Sequence, residues 1–187
     1  MKLLVLGASG FIGSAFRRSL SNSDIYTSRR SGVAGCLKFD ALLDDIRQLP
    51  GLKQVTHALL LFAEREPDNC VKDPTKSARL NVEVAIRVID QCRDLGIFPI
   101  FASTELVFDG QAGNYSEESA PKPILEYGRQ KLEVERYLQS NTTDHLILRF
   151  PKTVGARPSD RSLFTNWIQE IDIGTSVLQC ASDQIFS

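Results

Sequence analysis

The chain has 187 residues, the length of about one domain. Its 22 Lys and Arg residues nearly balance 23 Asp and Glu residues, and the formal net charge of -1 gives no positive surface of the kind that binds nucleic acid or anionic membranes. No apolar run approaches the ~20 residues that cross a bilayer, so we expect neither a nucleic-acid nor a membrane partner.

Short apolar runs alternate with helical patterns along the whole chain. Strands are predicted, in chain order, over residues 2–6, 24–27, 37–39, 56–63, 97–102 and 144–150. Helices are predicted over residues 11–20, from Asp73-Pro74 to a stop at Gly96, over 126–139 and, more weakly, over 162–171. The apolar runs are continuous rather than alternating, which is typical of parallel strands that are covered on both faces.

This order predicts an α/β fold, a doubly wound parallel sheet of the Rossmann type, in one nucleotide-binding domain over residues 1–187. Residues 109–123 form the longest irregular stretch in the middle of the chain. Such loops at the carboxyl edge of a parallel sheet often border a binding site.

A glycine-rich turn follows the first strand and opens the first helix with the spacing GxxGxxG. Gly7 permits the tight turn, Gly10 allows close approach of a pyrophosphate, and Gly13 allows the helix to pack closely on the sheet. The alternative is a glycine-rich turn without a ligand, but the strand–turn–helix context favours a dinucleotide. The residues expected to bind it here are Gly7, Ser9, Gly10, Phe11, Ile12 and Gly13.

The end of the second strand bears on which dinucleotide is bound. A carboxylate at this place would bind a ribose 2′-hydroxyl, but the sequence continues with Ser28, Arg29 and Arg30. Guanidinium groups hold a phosphate in bidentate fashion, so NADP(H) is favoured over NAD(H). The alternative is that one or both arginines are solvated loop charges.

Tyr127 and Lys131 are four residues apart and therefore lie on one face of the predicted helix. A nearby cation stabilises a phenolate, which is expected to lower the pKa of Tyr127 towards the range of a general acid. Ser103 and Thr104 end the fifth strand, where a hydroxyl can hold a substrate oxygen beside the tyrosine. A Tyr-x-x-x-Lys spacing alone often arises by chance. It becomes informative here because Ser103 and Thr104 are predicted to lie beside it.

Together these motifs resemble the extended short-chain dehydrogenase/reductase superfamily. The residues that carry the resemblance are the glycine turn, Asn81 in the crossover helix, Ser103-Thr104 and Tyr127-x-x-x-Lys131. Within the superfamily, residues 103–110 resemble the Ser-Thr-Asp-Tyr-Val-Phe-Asp-Gly stretch of the dTDP-4-dehydrorhamnose reductases.

The resemblance implies a role for each matching residue. Tyr127 would exchange a proton with the reacting oxygen, Lys131 would bind the nicotinamide ribose, and Thr104 would hydrogen-bond the reacting oxygen with support from Ser103. The further cofactor contacts implied are Asp40 and Ala41 near the adenine, Phe62 and Ala63 after the fourth strand, and Phe150 at the exit of the sixth. The expected reaction is reduction of a nucleotide-sugar carbonyl.

Departures from the family pattern keep other functions open. Phe62 and Glu64 stand where small residues are usual, and we expect them to reshape the nicotinamide pocket. Leu106 cannot act as an acid or base, which disfavours the dehydratases of the superfamily. One alternative is a cofactor-binding regulatory subunit of another enzyme. A nucleotide-sugar epimerase is a further alternative, which the arginine pair disfavours.

The resemblance also sets an expectation about the carboxyl terminus and about assembly. Residues 182–187 resemble a family segment after which more than a hundred residues usually form the substrate-binding lobe, so this lobe is expected to be absent or truncated. The Tyr-x-x-x-Lys helix and the crossover helix often pair in this family, so a homodimer is an expectation.

The four cysteines are widely spaced and form no Cys-x-x-Cys pair, and the chain has only two histidines. This composition predicts a reducing, cytoplasmic compartment and no metal site.

Overall fold

The computed structural model describes residues 1–19, 23–141, 144–155, 157 and 162–174. Cys180 and residues 182–187, on which the expectation of a truncated lobe depends, lie outside the described residues. The chain divides into two compact units, Met1–Arg149 and Phe150–Ser187. The prediction of a single nucleotide-binding domain over the whole chain stays a prediction.

Six strands form one sheet in the order β3-β2-β1-β4-β5-β6. The strands are β1 (Leu3–Leu6), β2 (Ile25–Ser28), β3 (Leu37–Lys38), β4 (His57–Leu60), β5 (Phe98–Thr104) and β6 (Leu146–Phe150). The pairings from β3 across to β5 are parallel, as predicted. Each predicted strand is present, although β4 ends at Leu60, after which the N–H of Leu61 makes one more hydrogen bond, to the carbonyl oxygen of Leu6 at 2.9 Å.

The helices are α1 (Phe11–Ser19), α2 (Pro67–Lys72), α3 (Pro74–Ala78), α4 (Ala85–Asp94), α5 (Glu126–Asn141) and α6 (Leu163–Asp172). The start at Asp73-Pro74 is confirmed, because the Asp73 carboxylate accepts the N–H of Lys76 at 2.9 Å. A π-helical turn, Arg79–Val84, joins α3 to α4. The short helix α2 was not predicted from the sequence.

The continuous apolar strands are covered on both faces, as the sequence indicates. Leu4 and Leu6 of β1 pack into a core with residues of α4 and α5 such as Val88 and Leu138. Leu3 and Val5 point the other way, into a smaller cluster that includes Phe16 of α1. Successive side chains of a strand alternate between faces, so one buried strand supplies both layers.

The strand order reverses beside β1, whose neighbours are β2 and β4. At such a switch point the connections leave in opposite directions, and a crevice opens beyond the carboxyl ends of the strands. Gly7 after β1, Leu61 after β4 and the end of β5 at Thr104 all lie at this edge. No helix in the described part of the chain is long and apolar enough to cross a membrane.

Candidate functional site

The glycine-rich turn has the shape that dinucleotide binding requires. Gly7 adopts a φ of +93°, and a Cβ there would lie 3.0 Å from the backbone nitrogen of Phe62. A Cβ on Gly13 would lie 2.6 Å from the Cα of Ala8, so the helix packs as closely as predicted. At Gly10 the nearest obstacle is the carbonyl oxygen of Gly7 at 3.3 Å. With α1 beginning at Phe11, the unpaired N–H groups of its first turn suit a pyrophosphate.

The residues predicted to select the dinucleotide gather beside this turn. The Ser28 hydroxyl donates to the Ser9 hydroxyl at 2.9 Å and accepts the N–H of Arg30 at 3.0 Å. The Arg30 guanidinium donates to the carbonyl oxygen of Ser9 at 3.1 Å, and Lys38 of β3 donates to the carbonyl oxygen of Arg29. Two hydroxyls and the exposed cationic side chain of Arg30 therefore meet next to the glycine turn, and the ammonium of Lys38 lies on the backbone of Arg29.

The predicted adenine contacts lie directly after β3. The Asp40 carboxylate accepts the N–H of Leu42 at 3.1 Å, while the Asp40 N–H donates to the carboxylate of Asp44 at 2.6 Å. Ala41 is buried, and its carbonyl oxygen accepts a hydrogen bond from Arg87. These contacts stabilise the conformation of the loop that follows β3, at the carboxyl edge of the sheet.

The segment after β4 is held by Asn81 of the π-helical turn. The Asn81 side chain accepts the N–H of Glu64 at 2.8 Å and donates to its carbonyl oxygen at 2.9 Å. The Glu64 carboxylate is engaged in turn by the N–H of Glu66 and the side-chain amide of Asn69, at 3.2 and 3.3 Å. Glu64 is therefore tied to the start of α2, whereas Phe62 packs partly against the core. Asn81 orders the backbone beside the predicted nicotinamide pocket.

Lys131 is buried and attached to the fifth strand. Its ammonium donates to the carbonyl oxygen of Ala102 at 2.8 Å and lies 4.5 Å from the ring centroid of Phe101 and 5.8 Å from that of Tyr127. Burial lowers the pKa of Lys131 to about 8, against the opposing influence of the Glu135 charge.

The expected lowering of the Tyr127 pKa is wrong for the chain without a bound cofactor. Burial raises the pKa of Tyr127 to about 12, and the charges of Cys70 and Glu105 add to this effect while Arg65 opposes it. The cause is desolvation, which disfavours the phenolate. Tyr127 is therefore a protonated phenol at neutral pH.

The two hydroxyls at the end of β5 point to different partners. Ser103 donates to the buried carboxylate of Glu135 on α5. The Thr104 hydroxyl accepts the N–H of Leu106 at 3.2 Å and donates to the carboxylate of Glu105 at 3.1 Å. Of the two hydroxyls, that of Thr104 therefore lies in the turn that follows β5, and that of Ser103 lies against α5.

Gly128 brings α5 against the turn Glu105–Val107. A Cβ at this position would lie 2.1 Å from the carbonyl oxygen of Leu106, a backbone atom that cannot move independently. Gly128→Ala should therefore lower the free energy of unfolding by about 1–3 kcal/mol, measured by urea denaturation. Arg129→Ala, at the exposed neighbouring position, is the control and should change the free energy little; equal effects of the two substitutions would contradict the contact.

Phe150 ends β6 and is the first residue of the second unit, so its predicted contact with the nicotinamide stays a prediction.

In the described residues, no three His, Cys, Asp or Glu side chains are grouped so that they could hold a metal ion.

Sequence reasoning missed three polar residues at this edge, namely the buried Gln130 and Glu135 and the partly buried Arg149. Gln130 accepts a hydrogen bond from the Asn81 amide at 2.8 Å and donates to the Ser77 hydroxyl at 2.9 Å. The available signal for Glu135 was its spacing, because it continues the four-residue repeat of Tyr127 and Lys131 on one helix face.

Two curated relatives show what the chain is similar to. It is 30% identical over 158 residues to methionine adenosyltransferase 2 subunit beta of Mus musculus, an alignment that covers 82% of this chain and 47% of the relative. It is 32% identical over 178 residues to the probable low-salt glycan biosynthesis reductase Agl14 of Haloferax volcanii, covering 90% of this chain and 59% of the relative. The chain thus spans about half the length of these relatives.

Among solved structures, MoeE5 in complex with UDP-glucuronic acid and NAD has a TM-score of 0.78 and 26% identity, covering 91% of this chain and 61% of that one. The family model described as the RmlD substrate binding domain matches residues 1–187. This match confirms the resemblance drawn from the glycine turn, Ser103-Thr104 and the Tyr127–Lys131 pair. The chain belongs to the RmlD substrate binding domain family, the dTDP-4-dehydrorhamnose reductase-like group of the extended short-chain dehydrogenases/reductases.

Proposed function

We propose that the protein binds a nicotinamide dinucleotide and reduces the carbonyl of a 4-keto nucleotide sugar. The observation that carries the proposal is the convergence of the glycine turn, Thr104 and the Tyr127–Lys131 pair at one edge of the sheet. The family match, the reductase relative and the sugar nucleotide in MoeE5 support the substrate class.

The protonation state of Tyr127 favours the reductive direction. A phenol whose pKa is raised to about 12 is fully protonated at neutral pH and can donate to an oxygen that gains negative charge. A nicotinamide dinucleotide, when bound, would supply a hydride for the carbonyl carbon. Tyr127 would give its proton to the carbonyl oxygen, so that the carbonyl becomes an alcohol.

Lys131 and Thr104 support this transfer from two sides. The buried ammonium of Lys131 stabilises the phenolate left on Tyr127 and is available to donate to a ribose hydroxyl. The Thr104 hydroxyl, which donates to Glu105 in the free chain, would exchange that carboxylate for the substrate oxygen. The experiment that tests the proposal follows NADPH consumption at 340 nm with a dTDP-4-keto sugar and a UDP-4-keto sugar.

We propose NADP(H) as the dinucleotide because of the cations beside the glycine turn. The Arg30 guanidinium lies on the Ser9 carbonyl oxygen beside the paired Ser9 and Ser28 hydroxyls, and the Lys38 ammonium lies on the carbonyl oxygen of the neighbouring Arg29, an arrangement that suits a 2′-phosphate. MoeE5 holds NAD, so the preference rests on these residues of the present chain rather than on that structure.

The cofactor preference makes a specific prediction. Arg30→Ala should raise the dissociation constant of NADPH by about tenfold, or about 1.4 kcal/mol, and leave that of NADH nearly unchanged. The measurement is the quenching of protein fluorescence on titration with each dinucleotide. Arg136→Ala removes an equally exposed cation from α5 and is the control. A loss of NADH binding equal to the loss of NADPH binding would contradict a 2′-phosphate site.

A second candidate function is a cofactor-binding subunit of another enzyme. The observation that favours it is the 30% identity to methionine adenosyltransferase 2 subunit beta, over 82% of this chain. In that case the chain would bind NADPH tightly, consume none with keto sugars, and bind a methionine adenosyltransferase catalytic subunit. Turnover with either keto sugar favours the reductase, and tight binding without turnover favours the subunit.

Three further expectations concern an epimerase activity, a homodimer and the location of the protein in the cell. An epimerase would use the same residues with a tightly held NAD, which the arginine pair disfavours. A homodimer through the crossover helix and α5, and a cytoplasmic location, stay predictions.

A further inference from the structure

We infer that Glu135 is a positioning residue for the proposed reaction: together with Arg149 it locks α5 on β5 and keeps a negative charge facing the ammonium of Lys131. The inference rests on the proposed function for its consequence, but its geometry does not depend on a ligand.

The first step is the register of α5 along β5. Glu135 accepts the hydroxyl of Ser103, and one helical turn earlier Lys131 donates to the carbonyl oxygen of Ala102. One turn earlier again, Gly128 packs on the turn that follows β5. These three contacts, at successive turns of the helix, therefore fix the position of α5 along β5. They thereby also fix the position of Tyr127.

The second step is the completeness of the Glu135 contacts. Glu135 is fully buried, and Arg149 of β6 donates to it through Nε at 3.1 and 3.2 Å and through Nη2 at 2.6 Å. A buried carboxylate that is bonded by a guanidinium fork and a hydroxyl is fixed in orientation.

The third step is the continuation of this network into the loop over 109–123. Arg149 also donates to the carbonyl oxygen of Glu117 at 3.2 Å and lies 5.1 Å from the ring centroid of Phe108, which stacks on Tyr115. One ion pair thus joins α5, β5, β6 and the loop that borders the site.

The fourth step is electrostatic. The groups that act on Lys131 are Glu135 on its own helix, Cys70 of α2 and the ring of Tyr127, and Arg149 lies behind Glu135. Both Glu135 and Cys70 raise the pKa of Lys131 against burial. Without the Glu135 charge, the buried ammonium of Lys131 would lose a compensating carboxylate, and Arg149 would lose its ion-pair partner.

The test follows the titration of Lys131 in the full chain without cofactor, by NMR of lysine labelled at Cε, with the signal assigned through Lys131→Arg. Glu135→Gln should lower the midpoint of this titration by about one pH unit, the size expected for loss of a nearby opposite charge. Glu133→Gln makes the same charge change at an exposed position of α5 and should leave the midpoint in place.

A second variant keeps the test decisive if Glu135→Gln alone misfolds because Arg149 has lost its partner. Glu135→Gln combined with Arg149→Met removes both charges of the pair and should also lower the midpoint. If the midpoint stays at its wild-type value in both variants, Glu135 does not act on Lys131 and the inference is overturned. A purely structural role would change stability without moving this titration.

A companion measurement separates this inference from the proposed function. The dissociation constant of NADPH, followed from pH 6 to 9, should begin to rise at a lower pH in Glu135→Gln than in wild type. If the midpoint of Lys131 shifts but no variant binds NADPH, the inference stands and the proposed function fails. If wild type binds and turns over while the midpoint does not shift, the proposed function stands and the inference fails.

Discussion

Replacing Tyr127 with phenylalanine is expected to lower the turnover of a 4-keto nucleotide sugar by about 10²–10⁴-fold, the contribution of a positioned general acid. The dissociation constant of NADPH should stay nearly unchanged, because the ring and its packing remain. The physical reason is the proton on Tyr127: a partly buried phenol with a pKa of about 12 holds its proton at neutral pH and releases it only to an oxygen that is becoming strongly basic.

The measurement pairs NADPH oxidation at 340 nm with a binding titration of the same preparation. Tyr137→Phe is the matched control, because it removes a hydroxyl from the same helix whose partner is Asp90, at 2.6 Å. Unchanged turnover in Tyr127→Phe would sink the mechanism, and equal losses in both variants would indicate damage to α5 rather than loss of an acid.

The second large effect is expected from Arg149→Met. It leaves the Glu135 carboxylate fully buried without its cation, and removing one partner of such a pair costs about 3–5 kcal/mol of unfolding free energy. Adding Glu135→Gln to the same chain should recover part of the loss, since the buried carboxylate that Arg149→Met leaves without its cation is then neutral, while the buried Lys131 ammonium still loses the Glu135 charge.

Urea denaturation of the three variants gives the coupling between the two residues as a double-mutant cycle. Arg93→Met is the control: its guanidinium pairs with Asp90 at 3.1 Å but is half exposed, so its loss should cost no more than about 1 kcal/mol. A loss in Arg149→Met no greater than in Arg93→Met would contradict the assignment of a buried, essential pair.

Several features of this protein were predictable because they are local. The run of apolar residues before Gly7 dictates a strand, and the three glycines that follow dictate a tight turn and a close helix, whatever the rest of the chain does. Asp73 followed by proline likewise specifies a helix start through contacts within four residues. The parallel sheet followed from the alternation of such segments.

Other features depend on contacts between distant parts of the chain. The π-helical turn at Arg79–Val84 places Asn81 on the backbone of Glu64, 17 residues away in sequence, and no local pattern predicts that pairing. The Tyr127 pKa is raised rather than lowered as predicted, because desolvation dominates and the charges of Cys70 and Glu105 act in the same direction.

The amino-acid sequence by itself therefore determined the family, the sheet, the glycine turn and the identity of the Tyr127–Lys131 pair, because these depend on spacing along one segment. The tertiary structure alone decided that the Ser103 hydroxyl donates to Glu135, that Arg149 pairs with this buried carboxylate, and that the pKa of Tyr127 is raised. The physical reason is that charge compensation and desolvation are set by what surrounds a group in space, and spacing along the chain does not encode those surroundings.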